Sequence, residues 1–410
     1  MIDGSANFDV VISGGGMVGA SLACALGSLP LSIALVEAVP FDSDSQPSFD
    51  ARTTALSRTS QRILDSLGIW ADVAGQANAI QRIHVSERGR FGTAIIDGQE
   101  QGVDALGYVL ENRVLGAALW SRIGRTDNIE VFCPAAIASA VSREAAMRLE
   151  MADDGGGLSG RLLVVADGAR SKLRSILGID ASTRTYGQTA IVGNVALASA
   201  VHGNTAFERF TADGPVALLP ADEQRFVFVL TRRSDLAPAV MDLSDQAFLA
   251  LLQETFGFRL GRFSRIGRRF AYPLSLVRSD SVIAARAAII GNAAHGLHPV
   301  AGQGYNLGLR DVATLAEVIA DDQRRHAAPD PGAPEVLQQY RGWRHDDQRN
   351  VVAFTDGLVR LFDVPLNSLG AARGLGLLAF DMMPGAKRLL ARQTMGLGGR
   401  LTRLARGLPL

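Results

Sequence analysis

Two glycine-rich turns hold the residues of this chain whose types and spacing could do chemistry. In the first, Gly14, Gly16 and Gly19 fit the spacing G-x-G-x-x-G, and Glu37 stands at the end of the next apolar run. Such glycines allow a tight turn, a close backbone approach to a pyrophosphate and tight helix–strand packing, while the acid accepts ribose hydroxyls. The second turn spans 291–308 and carries Asn292, His295, His298, Pro299, Gly302, Gln303, Gly304 and Asn306. Its glycines expose backbone N–H groups and let the main chain come close to a ligand. A histidine in such a loop is more often structural than catalytic, so His295 and His298 are given no acid–base work.

The elements around both turns support this chemistry. Val10 to Ile12 reads as a buried strand, and Ala20, Leu22, Ala23, Ala25 and Leu26 continue as a helix of small and apolar residues. Ser32 to Val36 is a second strand, ending at Glu37. The βαβ pattern presents a helix N-terminus, with its unpaired N–H groups and positive dipole end, to phosphates. Ala287 to Ile290 is a strand entering the second turn, and a helix starts near Asn306 with Val312, Leu315, Ala316 and Ile319 on its apolar side. Gly374 to Ala379 fits the looser G-x-G-x-x-A, but no strand precedes it and no acid follows. It reads as a helical or turn segment.

At 410 residues the chain can bury two or more cores, and its zero formal net charge argues against a general nucleic-acid binder. Cys24 and Cys133 are too few for a disulfide framework or a metal cluster and fit a reducing compartment. No metal site is expected. Val10 to Val36 is uncharged and long enough to span a membrane, but glycines and Pro30 interrupt it. The nucleotide-binding reading explains it better, so the chain is expected to be soluble or peripheral. The tail from Met382 to Leu410 carries six basic residues and no acid, with Leu397, Leu401, Leu404 and Leu408 at helical spacing. A basic amphipathic tail suits a membrane surface or a partner protein, or else a helix docked on its own domain.

Between about 191 and 272 the texture changes to short apolar strands at 190–195, 206–210, 216–220 and 226–230, with one helix at 248–256. The expected fold is α/β: a discontinuous Rossmann-like domain with an inserted antiparallel-sheet domain and C-terminal helices. The boundaries are 1–76, 106–182 and 273–350 for the nucleotide-binding domain. The inserted unit takes 77–105 and 183–272, and the helical region 351–410.

Three motifs in order resemble the class A flavoprotein aromatic hydroxylases: G-x-G-x-x-G, then D-G-x-x-S-x-x-R at Asp167, Gly168, Ser171 and Arg174, then G-D-x-x-H-x-x-x-P at Gly291, His295 and Pro299. Asn292 stands where that family usually has Asp. Residues 298–311, together with 49–56, Glu208-Arg209-Phe210 and Tyr272-Pro273-Leu274, are similar to its ubiquinone-biosynthesis branch, above all to the 2-polyprenyl-6-methoxyphenol hydroxylases.

The resemblance implies resident FAD, with NAD(P)H and O2 as co-substrates, a polyprenyl phenol as substrate and hydroxylation through a flavin C4a-hydroperoxide. It assigns Gly14, Gly16 and Gly19 to the pyrophosphate and Glu37 to the adenosine ribose. Arg52, Arg113, Asp167 and Gly168 lie along the cofactor, Asn292 at the ribityl chain, and Gly302, Gln303, Gly304 and Asn306 at the flavin ring. His298 and Pro299 are the catalytic-loop candidates beside the reactive face. It also implies a cytoplasmic protein, peripheral to the inner membrane where the tail reaches it, with other ubiquinone-biosynthesis proteins as partners. Two other readings fit the same residues: an FAD oxidoreductase acting on another phenol or a prenyl double bond, and a flavin-binding scaffold of a biosynthetic complex.

Overall fold

A computed structural model describes residues 6–43, 46, 48, 52–152, 156–199, 203–296, 303–363 and 383–410. His298, Pro299, Gly302 and the 374–379 segment lie outside them. The fold is mixed α/β and built on three sheets.

The first sheet has a parallel centre. Strand Ala6–Ser13 lies between Ile33–Val36 and Gly157–Val165, flanked outward by Ile129–Phe132 and Ala287–Ile289. Val10, Val11, Ile12 and Leu162 to Val165 are buried on both faces, as parallel strands covered by helices must be. Helix Met17–Leu26 is buried from Gly19 onward because the sheet covers one side and helices Asn112–Ile123 and Gln303–Arg325 the other. Its small residues permit that. A Cβ on Gly308 would stand 2.8 Å from Val18 Cγ2, so the two helices cross at glycine contact.

The helix expected from Asn306 begins at Gln303, three residues earlier by number. Its inward side carries Val312, Leu315, Ala316 and Ile319, all fully buried. Asp311, also fully buried, turns toward helix Pro334–Asp363, whose Arg344 and Gln348 donate to it at 2.7 and 2.9 Å.

The second sheet has nine strands, ordered from His295–Gly296 through Phe270–Ser279, Ala181–Leu197, Arg225–Arg233, Val216–Pro220 and Thr205–Phe210 to Arg82–Glu87 and Thr93–Asp97. Phe263–Ile266 pairs with Ala181–Leu197 off that path. Its pairings are antiparallel except for Thr205–Phe210 beside Arg82–Glu87, which run parallel. One face packs Phe226, Phe228, Leu230 and Phe207 against helix Asp245–Phe256, forming a separate core. The third sheet, Thr53–Ser57, Gly107–Glu111 and Asn78–Ile80, joins the other two.

The basic tail is not one amphipathic helix. Helix Pro384–Thr394 ends before Gly396, which sits at φ +74°, and only a 3-10 turn, Leu404–Arg406, follows. Leu404 is buried against helix Arg58–Ser66. Arg403 pairs with Asp321, its N–H donates to Glu317 Oε2 at 2.6 Å, and the Arg400 guanidinium lies 3.5 Å from the Trp343 ring centre. The part of the tail around 400–405 therefore docks on its own chain.

Candidate active site

The loops between the first and second sheets enclose a cavity of about 1240 Å³. A single small-ligand site occupies roughly 300–1,000 Å³, so this one has room for a dinucleotide and a second molecule.

At one end stands the turn after strand Ala6–Ser13. Gly14 adopts φ +103°, and a Cβ there would lie 2.6 Å from Ala166 O. Gly16 is the N-cap of helix Met17–Leu26, and no side chain caps that helix. Gly16, Met17 and Val18 line the cavity, so the helix N-terminus opens onto it. Gly19 does not line it. It faces back, where a Cβ would be only 1.8 Å from Gly14 O. Glu37 lines the cavity and closes the turn: its Oε2 accepts from Gly15 N at 2.5 Å and its Oε1 from Val39 N at 2.8 Å. An uncapped helix start, glycines no side chain could replace, and a carboxylate at their rim together fit the pyrophosphate and ribose of a dinucleotide.

The middle of the cavity is built by two loops that hold each other. Asp167 and Gly168 follow strand Gly157–Val165 and line it. Burial pushes the Asp167 carboxyl up, against the lowering effect of a hydrogen bond with Ser171. Ser171 Oγ also accepts from Arg174 N at 3.0 Å and caps the short helix Lys172–Ile176. Arg174 is buried, and its Nη1 donates to Ala293 O at 2.8 Å, tying this motif to the loop carrying Asn292. Asn292 is exposed toward the cavity, and a Cβ on Gly304 would stand 4.0 Å from its Oδ1.

His295 lies behind this loop, buried and away from the cavity lining. Its Nε2 donates to Asp311 Oδ2 at 2.6 Å, and Gly291 N donates to the same oxygen at 3.0 Å. Burial opposes the charge of Asp311, but His295 and Arg344 more than offset it and hold its carboxyl well below the usual range. The arrangement gives His295 a structural place.

The helix start at Gln303 also meets the cavity, through Gly304, Tyr305 and Asn306. Gln303 opens that helix, and its side chain is outside the described atoms. Asn306 spends its amide on the protein: Nδ2 donates to Ala55 O at 2.8 Å, while Oδ1 accepts from Ser57 N at 2.8 Å and Ser60 Oγ at 2.7 Å. Arg52 lines the cavity with its guanidinium 4.8 Å from the Tyr272 ring centre. Arg113 is not among the lining residues. It is exposed and paired with Glu111 at 2.6 Å, and its neighbour Asn112 faces the cavity instead.

The far wall is one face of the nine-stranded sheet. Val192, Ala206, Ala217, Leu219, Val227 and Val229 alternate onto it, the period of two that a half-buried strand imposes. Asn112 and Glu208 also line the cavity as polar groups. Sequence reasoning gave neither a site role. The signals for Glu208 were its place in the Glu208-Arg209-Phe210 stretch of the family resemblance and a carboxylate at an inward position of an alternating strand.

The domain model for the FAD binding domain, FAD_binding_3, matches residues 7–355. The chain belongs to this FAD-binding family. Over 98% of its length it is 39% identical to ubiquinone hydroxylase UbiL of Rhodospirillum rubrum, covering 93% of that protein. It is 30% identical to 3-demethoxyubiquinol 3-hydroxylase of Escherichia coli, with 95% of this chain and 98% of that one aligned. The p-nitrophenol 4-monooxygenase PnpA from Pseudomonas putida has the same fold, with a TM-score of 0.79 and 19% identity over 97% of this chain and all of that one. The family member described here is an FAD-dependent aromatic hydroxylase, a class that takes NAD(P)H as co-substrate. Among the described residues, no helix is long and apolar enough to cross a membrane.

Proposed function

We propose that this protein hydroxylates a polyprenyl phenol, 2-polyprenyl-6-methoxyphenol, in ubiquinone biosynthesis. The observation that carries the reading is a single cavity joining a dinucleotide turn to an apolar sheet wall. Its relatives named ubiquinone hydroxylase and 3-demethoxyubiquinol 3-hydroxylase support the pathway. FAD, when bound, supplies the oxygen-transfer chemistry, with electrons from NAD(P)H and oxygen from O2.

The residues of this chain hold the parts in place. Gly14 and Gly16 with the helix start at Met17 hold the pyrophosphate, Gly19 keeps that helix against the strand, and Glu37 holds the ribose. Arg52, Asp167, Gly168 and Asn292 flank the middle of the cofactor. Asn292 offers an amide where a carboxylate would add charge. The helix start at Gln303 and Gly304 directs its N–H groups at the flavin ring, and Asn306 fixes that helix to strand Thr53–Ser57. The family resemblance assigns His298 and Pro299 to the reactive side, and both lie outside the described residues. The sheet wall takes the ring and the first prenyl units and excludes water from them.

The test uses purified holoprotein, NAD(P)H, ¹⁸O2 and 2-polyprenyl-6-methoxyphenol, with product mass as the readout. Gain of one labelled oxygen atom on the ring supports the reading. NAD(P)H oxidation stimulated by the phenol without an oxygenated product overturns it in favour of an oxidoreductase on another substrate. Failure of substrate and NAD(P)H to bleach the flavin overturns it in favour of a scaffold.

A further inference from the structure

Among the described residues, the cavity-facing side of the nine-stranded sheet carries one carboxylate, and its other polar lining residues, Thr231, Tyr272 and Ser275, lie on other strands. Glu208 lies in strand Thr205–Phe210, where Ala206 and Phe210, two residues to either side, face the same way. Across the ladder it pairs with Val85 on one neighbouring strand and with Ala217 on the other, both also lining the cavity. Four apolar neighbours thus surround it. Among the described residues no hydrogen bond or ion pair reaches its side chain, and the surface it keeps opens into the cavity.

An unpaired carboxylate is costly on an apolar wall, where leucine or valine would pack better. The alternation of this strand would place an apolar residue there without difficulty. A group kept in such a setting, inside a ligand cavity, is suited to proton transfer.

We propose that Glu208 is the base that takes the phenolic proton of the substrate ring during hydroxylation. The inference rests on the function proposed above and adds the residue that activates the ring. As a ring carbon conjugated to the hydroxyl forms its bond to the transferred oxygen, the O–O bond that held that oxygen breaks and the O–H electron pair moves into the ring. The proton passes to a Glu208 carboxylate oxygen. The ring, now a ketone, then loses the hydrogen of the attacked carbon to solvent as a proton, its C–H electron pair restoring the aromatic ring, and the ketone oxygen recovers its proton from Glu208. Over the cycle one atom of O2 enters the product and the other leaves as water, with two electrons and one proton supplied by NAD(P)H and a second proton by solvent.

Burial alone pushes the Glu208 carboxyl up to about 7. The other ionisable lining groups are Glu37, Arg52, Asp167, Arg170, Lys172 and Tyr272, all contributed by other elements. No charged partner enters the Glu208 shift. The base form is therefore gained as pH rises through about 7.

The test compares wild-type holoenzyme with Glu208→Gln and Glu208→Asp, using a soluble 2-methoxyphenol as probe. Glu208→Gln should keep FAD stoichiometry and flavin absorbance, lose kcat/KM for hydroxylation by roughly 100-fold, and divert NAD(P)H oxidation to hydrogen peroxide. Glu208→Asp should restore part of the coupling. A second readout needs no turnover. The infrared carboxyl C=O band of oxidised wild type should titrate near pH 7, shift when the phenol binds, and vanish in Glu208→Gln. Hydroxylation by Glu208→Gln within twofold of wild type, or an acid limb of kcat/KM that does not follow the infrared titration, overturns the proposal. If Glu208→Gln does not fold, the wild-type pH profile and infrared band decide by the same criterion. Wild-type protein that hydroxylates no phenol overturns the proposed function itself, an outcome distinct from failure of Glu208 alone.

Discussion

Replacing Asp311 by Asn should separate the scaffold of the site from its chemistry. Asp311 is fully buried, and its two oxygens receive four donors: Gly291 N and His295 Nε2 on one, Arg344 Nε and Gln348 Nε2 on the other. Asparagine keeps one acceptor oxygen and turns an NH2 toward the other two donors. In one flip it faces Gly291 and His295, in the other Arg344 and Gln348, so one fixed donor, Gly291 N or the Arg344 guanidinium, loses its acceptor either way. Arg344 is itself buried and, among the described residues, keeps Asp347 as its one ion-pair partner. Breaking a buried pair in this manner costs about 3–5 kcal/mol. With roughly 2–4 °C lost per kcal/mol in a domain of 150–250 residues, the unfolding midpoint should fall on the order of 10 °C. The assay is thermal unfolding of apoprotein by circular dichroism, repeated with saturating FAD.

The pH dependence supplies a sign. A carboxyl whose folded value is depressed contributes stability that is fully present above its unfolded value of about 3.9 and is lost as pH falls through the folded one. The gap between wild type and D311N should thus stay constant from neutral pH down to roughly 5 and narrow only in stronger acid. A midpoint within about 2 °C of wild type at pH 7, equivalent to about one kcal/mol or less by the same conversion, would refute the reasoning. So would a gap that closes between pH 8 and 6, because that range is far from any titration of Asp311.

Three other substitutions test the geometry. Gly19→Ala puts a Cβ 1.8 Å from Gly14 O and must push the helix start away from the strand. At about 1–3 kcal/mol for overpacking, FAD affinity should fall roughly 10- to 100-fold by flavin fluorescence titration, and an unchanged Kd contradicts the close packing. Asn306→Ala strands the buried Ser57 N–H and releases Ala55 O. It should lower stability by about 1–3 kcal/mol, read as a lower urea midpoint with unchanged slope. Arg403→Ala removes the clamp on Asp321 and should speed carboxypeptidase digestion of the tail severalfold while leaving FAD affinity alone, whereas equal digestion rates would show that Leu404, Arg400 and the Arg403 backbone hold the tail without that guanidinium.

Much of the cofactor end was legible because its information is local. Val10 to Glu37 encode strand, turn, helix and acid within one βαβ unit, and the structure places Gly14, Gly16 and Glu37 on one cavity. Asp167 and Asn292 reach the same cavity because each follows the end of a parallel strand, where open α/β sheets gather ligands. What could not be read depends on partners distant in sequence. The spacing of leucines at 397, 401 and 404 suggested a helix, but Gly396, Gly398 and Gly399 lower the helical preference, and docking onto Glu317, Asp321 and Trp343 decides the outcome. Arg113 is the second residue of a helix whose first residue, Asn112, faces the cavity, and that one-residue step turns the Arg113 guanidinium to solvent. Periodicity gives the inward face of a helix or strand, never the ligand or partner that face meets. A structural role for His295 could be inferred from its loop, but not the buried Asp311 that it braces. Glu208, the inward carboxylate of a strand that pattern alone assigns to an apolar core, lines the cavity on the wall proposed to take the substrate ring.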